Sequence, residues 1–182
     1  MEEDDLADGW FPKGVAADYD TPGGANAPEV VVPMVDVLED LADSGPVLEF
    51  AVGTGRIAVP LAVRGLSVSG IELSRAMAAR IDSKPGGDKV KVTIGGMTTT
   101  RVAGQFSLAY LVFNTISNVT TQDGQVDVFC NAPAHLRRGG LFLIEVGCRT
   151  CSACRRARTP SRSRWRPVVR VAAIWDSTST TS

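Results

Sequence analysis

The stretch Val47 to Ala62, VLEFAVGTGRIAVPLA, constrains this chain more than any other. A short apolar run ends in a glycine-spaced turn and passes directly into a helical pattern. Gly53-Thr-Gly55-Arg-Ile-Ala58 satisfies G-x-G-x-x-A, in which missing side chains let backbone approach a ligand while the helix N-terminus offers free N–H groups. Glu72 stands nineteen residues beyond Gly53, at the end of the next apolar run, where a carboxylate can accept two hydrogen bonds from a ribose diol. A nicotinamide dinucleotide enzyme can be built this way.

The surrounding pattern alternates. Pro28 to Asp43 reads as a helix started by Pro28 and stopped by Ser-Gly-Pro. Val47–Val52 reads as a strand, Gly55–Arg64 as a helix, Leu66–Ile71 as a strand and Ser74–Asp82 as a helix capped by Ser74. KVKVTI and FSLAYLVF are further strands, Gln122–Leu136 a helix interrupted by Pro133, and LFLIEV a last strand after RRGG. Strands interleaved with helices imply a Rossmann-like, doubly wound, mostly parallel α/β sheet, covered on both faces and binding ligands at the carboxyl ends of its central strands.

Glu49 lies at the end of the first strand, immediately before the turn. A carboxylate there repels pyrophosphate but suits the ammonium of a methionine-type ligand. With GIELS, GGMTTTR, FSLAYLVFNTISN and HLRRGGLFLIEVG in that order, the stretch from about Pro28 to Gly147 resembles a class I SAM-dependent methyltransferase of the small-molecule kind. The resemblance implies S-adenosyl-L-methionine (SAM) as cofactor, held by Glu49, Ala51, Gly53, Thr54 and Gly55 at the turn and by Glu72 and Leu73 at the ribose. Gly96 and Met97 would meet the adenine, and Val112, Phe113 and Asn114 would line the methyl-donor and acceptor side. It further implies a small-molecule acceptor and transfer without a protein nucleophile, so no catalytic residue is named. Tyr19 is a candidate to cover the cofactor.

Two positions depart from the family pattern. Ala51 replaces a usual glycine, a change that crowds the ligand only modestly if its φ stays negative. Gly96 replaces an aspartate that would accept from the adenine amino group, a loss of about 0.5–1.5 kcal/mol. The only histidine, His135, reads as a surface or helix-end residue rather than a general base.

Composition divides the chain. Residues 1–147 hold 11 Lys/Arg against 19 Asp/Glu, whereas the tail from Cys148 has 8 Arg, no Lys and one acid, Asp176. Residues 1–27 therefore read as a flexible acidic arm, 28–147 as an incomplete methyltransferase domain, and 148–182 as a disordered or frameshifted tail. Cys148, Cys151 and Cys154 invite a metal site, but Cys130 is the sole remaining cysteine and none is expected. Plausible codons for Cys148 to Arg158, read from their third base, give PDLLRLPPGE, which is similar to the family's continuation. In the same phase, codons for Trp175 to Thr181 give GFDEYD. A frameshift would remove the fold's C-terminal strands and expose LFLIEV as an edge; Val168–Trp175 is a candidate to patch it, with no register specified by its sequence. A truncated, inactive SAM-binding remnant and an NAD(P)-binding domain are the alternatives. The tail's arginines carry no nucleic-acid module. No apolar run reaches the roughly 18 residues of a membrane span, so the expectation is a cytoplasmic protein without membrane partners.

Overall fold

The computed structural model describes residues 13–21, 23–147 and 167–174. Two helices, α1 (Lys13–Asp18) and α2 (Pro28–Ala42), lead into the sheet. Pro28 occupies the first turn of α2, where its missing N–H has no partner to lose. The helix ends as Asp43 and Ser44 turn left-handed, at φ 48° and 59°. There follow β1 (Val47–Phe50), α3 (Ala58–Val63), β2 (Val68–Glu72), α4 (Arg75–Asp82), β3 (Val90–Ile94), β4 (Phe106–Leu111), α5 (Gln122–Asn131), β5 (Leu136–Gly147) and β6 (Pro167–Ile174).

The sheet runs β3-β2-β1-β4-β5-β6, with β1 to β5 parallel and β6 antiparallel to β5. Chain order reverses between β1 and β4, which opens a crevice at their carboxyl ends. Every residue of β1, β2 and β4 is buried, as a sheet covered on both faces requires. Alternation assigns the faces: Val47, Val68 and Leu108 pack with α2 and α3, while Leu48, Phe50 and Leu111 pack with Val128 of α5.

Several element bounds differ from the sequence reading, and three of them have a clear local reason. Helix α3 begins at Ala58 rather than Gly55, because Gly53 and Gly55 adopt φ 58° and 77° and the turn uses the residues up to Ile57. Strand β4 stops at Leu111 rather than Phe113, since Phe113 and Asn114 are left-handed at φ 59° and 57°. Helix α5 ends at Asn131; Pro133 cannot donate within it, and the chain tightens into a 3-10 turn over Ala132–His135. Strand β5 then takes in RRGG. Ser74 caps α4 as expected, its Oγ accepting from the Met77 N–H at 3.2 Å.

The edge of β5 is taken by β6, registered Gly147↔Pro167 and Leu143↔Val171. The cysteine triplet, the shifted-frame segments and residues 1–12 lie outside the described residues. Within the described part of the N-terminal arm, α1 leads to Asp20, whose carboxylate is bonded into the turn after β1. No helix among the described residues is long and apolar enough to cross a membrane.

His135 is at a helix end, as expected, but it is not on the surface: its exposure is 1%. Its ring meets Phe50 edge-on, Nε2 accepts from the Val102 N–H at 3.0 Å, and Nδ1 lies 3.0 Å from the Asn131 carbonyl. These partners require the neutral ring with its proton on Nδ1. Burial pushes the pKa below the usual 6.5. Stability from this residue is therefore complete above pH 6.5 and is lost as pH falls below it. His135→Ala is expected to cost about 2–3 kcal/mol at neutral pH and to flatten the fall in melting temperature between pH 7 and 5. Thermal unfolding at those two pH values checks both.

Candidate functional site

The crevice begins at the turn after β1. Ala51 has φ 56°, so the condition under which its methyl group is harmless fails. A left-handed alanine costs about 1–2 kcal/mol relative to an unstrained one, whereas glycine adopts this conformation freely. Ala51→Gly is expected to raise stability by up to about 1 kcal/mol after unfolded-state entropy is counted, read as a higher urea midpoint. Gly53 shares the left-handed conformation. Gly55 has a second constraint, since a Cβ there would lie 2.9 Å from Val59 Cγ2 and 3.0 Å from Ile81 Cγ1.

Glu72, 5% exposed at the tip of β2, accepts from the Gly53 N–H through Oε2 at 2.7 Å and from the Ser74 N–H through Oε1 at 2.9 Å. It thus ties the turn after β1 to the start of α4. Beside it opens a cavity of about 210 Å³ lined by Ala51, Glu72, Leu73, Gly96, Met97, Thr98, Asn118 and others. Gly96 faces open space, where an added Cβ would meet nothing nearer than Thr98 Oγ1 at 3.8 Å. The loop carrying Gly96 and Met97 is pinned by buried Asn131, whose Nδ2 donates to the carbonyls of Met97 at 2.8 Å and Thr100 at 3.1 Å. Arg101 donates to the Asn131 side chain in turn.

Glu49 lies under the other half of the crevice, 4% exposed. It is in register with Tyr110 of β4, whose hydroxyl donates to Glu49 Oε2 at 3.0 Å. Burial pushes the Glu49 carboxyl up to about 8, against the lowering effects of Tyr110 and Arg56. The buried position therefore favours a neutral carboxyl at pH 7, and the repulsion of pyrophosphate expected from sequence is weaker than a full charge would give. A cation entering this half restores the charge. The cavity here, lined by Tyr19, Glu49, Gly53, Thr54, Arg56, Val112 and Phe113 among others, is only about 30 Å³.

Two further contacts frame it. Thr54 is 1% exposed and its hydroxyl donates to Asp20 Oδ1 at 2.6 Å, so this side chain tethers the N-terminal arm. Lys84 completes the knot, donating to Asp20 Oδ1 at 2.9 Å and to the Thr54 carbonyl at 2.6 Å. At the tip of β4, the left-handed pair Phe113–Asn114 is held by Glu145 of β5, which accepts the Phe113 N–H on Oε2 at 2.7 Å and the Asn114 N–H on its carbonyl at 3.2 Å. Backbone strain of this kind persists only where the surroundings fix it.

Of the residues singled out from sequence, Ala51, Glu72, Leu73, Gly96 and Met97 line the larger cavity, and Glu49, Ala51, Gly53, Thr54, Val112 and Phe113 the smaller. Gly55 and Asn114 line neither; the first packs against α4 and the second turns its amide to Ser117 and Gly147. Sequence reasoning passed over Asp20, Arg56, Tyr110, Asn131 and Glu145. Tyr110 and Glu145 carried a signal, each a polar group inside a largely apolar strand.

Comparison with known proteins decides the family. A family model described as a methyltransferase domain matches residues 47–140, slightly more than half the chain. This protein belongs to that family. The CcbJ methyltransferase from Streptomyces caelestis is 30% identical to this methyltransferase-domain chain, with a TM-score of 0.66 over 80% of this chain and 58% of its own. The putative methyltransferase YqeM of Bacillus subtilis (strain 168) is 26% identical over 108 residues, 58% of this chain and 44% of that protein. The glycopeptide N-methyltransferase MtfA in complex with S-adenosyl-L-homocysteine (SAH) shares the fold, at 22% identity and TM-score 0.58 over 76% of this chain and 59% of its own. The methyltransferase-domain chain thus spans about half the length of the relatives it matches.

Proposed function

We propose that this chain is the SAM-binding part of a methyltransferase that acts on a small molecule. The observation that carries the reading is the pair of buried carboxyl groups at neighbouring strand tips, Glu49 and Glu72, on either side of a glycine turn. Family membership and the solved MtfA complexes with SAM and SAH support the same cofactor. SAM supplies a methyl group on a sulfonium, which an acceptor lone pair takes as sulfur becomes a neutral thioether.

The chain's own residues would bind and orient. Glu72 would accept from the ribose diol. Ala51, Leu73, Gly96 and Met97 would enclose the adenine and ribose in the larger cavity, with Met97 against the base. Glu49 would meet the ammonium, and the Gly53–Gly55 turn would let backbone come close beside it. Val112 and Phe113, at the tip of β4, would face the reacting side, excluding water from it. No side chain is required to form a covalent bond, and His135 is committed to Val102 and Asn131.

Calorimetric titration with SAM, SAH and NADH tests the reading. SAM and SAH are expected to bind and NADH is not. Absence of heat and of a thermal shift with SAM would refute it. Transfer of labelled methyl from SAM to a panel of small amines and phenols then separates an enzyme from a non-catalytic SAM-binding remnant.

A further inference from the structure

The smaller cavity, about 30 Å³, is close to the volume of one water molecule, against about 210 Å³ in the cavity beside it. What fills the space is Arg56. Its guanidinium carbon lies 3.7 Å from the centroid of the Phe113 ring, with the Tyr19 ring 5.9 Å away on another side. Arg56 Nη1 donates to Asn26 Oδ1 at 3.3 Å, a long bond, and the guanidinium makes no ion pair among the described residues. A cation thus already rests on an aromatic face in the cavity that Glu49 also lines, held by contacts that are individually weak.

We propose that Arg56 is a placeholder cation: it closes the amino-acid half of the crevice, and the incoming cofactor must displace it. The inference rests on the SAM reading above and adds a residue that sets how well the protein tells the whole cofactor from its nucleoside fragment. Arg56 has somewhere to go. It also borders an open groove of about 430 Å³ on the side of α2, walled by Pro28, Val31 and Val32, and its anchor Asn26 borders the same groove. Turning the guanidinium into that groove exposes the Phe113 face and leaves Glu49 to the ligand's own positive groups. One cation replaces another over the same ring and carboxyl, so the swap costs little in electrostatics and chiefly breaks the stack.

The proposal separates two ligands that the cofactor reading alone treats alike. Adenosine needs only the larger cavity and does not disturb Arg56, whereas SAH needs both halves. Arg56→Met keeps an apolar stem but removes the planar cation. It is expected to bind SAH about three- to tenfold more tightly than the parent chain, with adenosine affinity unchanged within about twofold, in parallel calorimetric titrations. Asn26→Ala, which loosens the anchor and leaves Arg56 in place, should shift SAH affinity in the same direction by about twofold. It decides the matter should the Met variant fail to fold. Equal or weaker SAH binding in the folded variants, with adenosine unaffected, would overturn the placeholder role and make Arg56 a ligand-holding group or a bystander. If neither SAH nor adenosine binds any of the chains, the cofactor reading itself fails.

Discussion

Glu72→Ala is expected to weaken SAM and SAH binding by about 100- to 10,000-fold, the largest single effect at this site. Two hydrogen bonds from a ribose diol to a charged acceptor are worth about 1.5–3 kcal/mol each, and both disappear. The same substitution frees the N–H groups of Gly53 and Ser74, which the carboxylate now holds at 2.7 and 2.9 Å. Stability should therefore fall by about 2–4 kcal/mol as well. Glu72→Gln provides the control, because its single amide oxygen can keep one backbone partner while its NH2 faces the other donor. An intermediate melting temperature with cofactor binding still largely lost is the expected pattern. Unchanged SAM affinity in a folded Glu72→Ala chain would remove Glu72 from the ribose and leave it as a brace of the turn.

Cofactor affinity should also climb steeply with pH, on the order of 50-fold between pH 6 and 8, if Glu49 binds the ammonium in its ionised form. Burial pushes the Glu49 carboxyl up to about 8 in the empty site. At pH 6 only about one molecule in a hundred then carries the charge the ligand needs, and apparent affinity scales with that fraction. Proton release on SAH binding, measured as a buffer-dependent heat near pH 7, is the companion signature. Glu49→Gln keeps an acceptor for the Tyr110 hydroxyl but cannot ionise. It should bind weakly and with no pH dependence over this range. The fold feels the same group in the opposite sense. A carboxyl whose folded pKa is raised from 4.5 to about 8 adds stability below pH 4.5 that is lost as pH rises to 8, so the empty parent chain should soften toward alkaline pH and the glutamine variant should not. A flat affinity profile for the parent would show that Glu49 does not meet the ligand's cation.

The frame of this site was legible because it rests on short-range patterns. Glycines at 53 and 55 bounded by an apolar strand and an apolar helix can do little else than turn, and Glu72 closes the next strand at a fixed remove. Short apolar runs placed β1, β2 and β4, and both faces of the sheet are covered as those unbroken runs imply. What escaped was whatever depends on register or on distant chain. Tyr110 meets Glu49 only because β1 and β4 pair residue for residue, and no local pattern contains that pairing. Asn131 reaches Met97 across more than thirty positions. Helix α5 was read too long because hydropathy does not register the carbonyl that Pro133 leaves without a donor. The charge on Glu49 was misjudged for a related reason, since ionisation follows desolvation and burial is a property of the assembled sheet.

A cloning boundary drawn at Pro28, where the regular pattern starts, would amputate Asp20. That would strand the Thr54 hydroxyl and the Lys84 ammonium, which meet on its carboxylate at 2.6 and 2.9 Å, against the very bend they now brace. The shortened product would keep its sheet and lose the stiffness of its ligand mouth, so a tidier domain would make the poorer receptor.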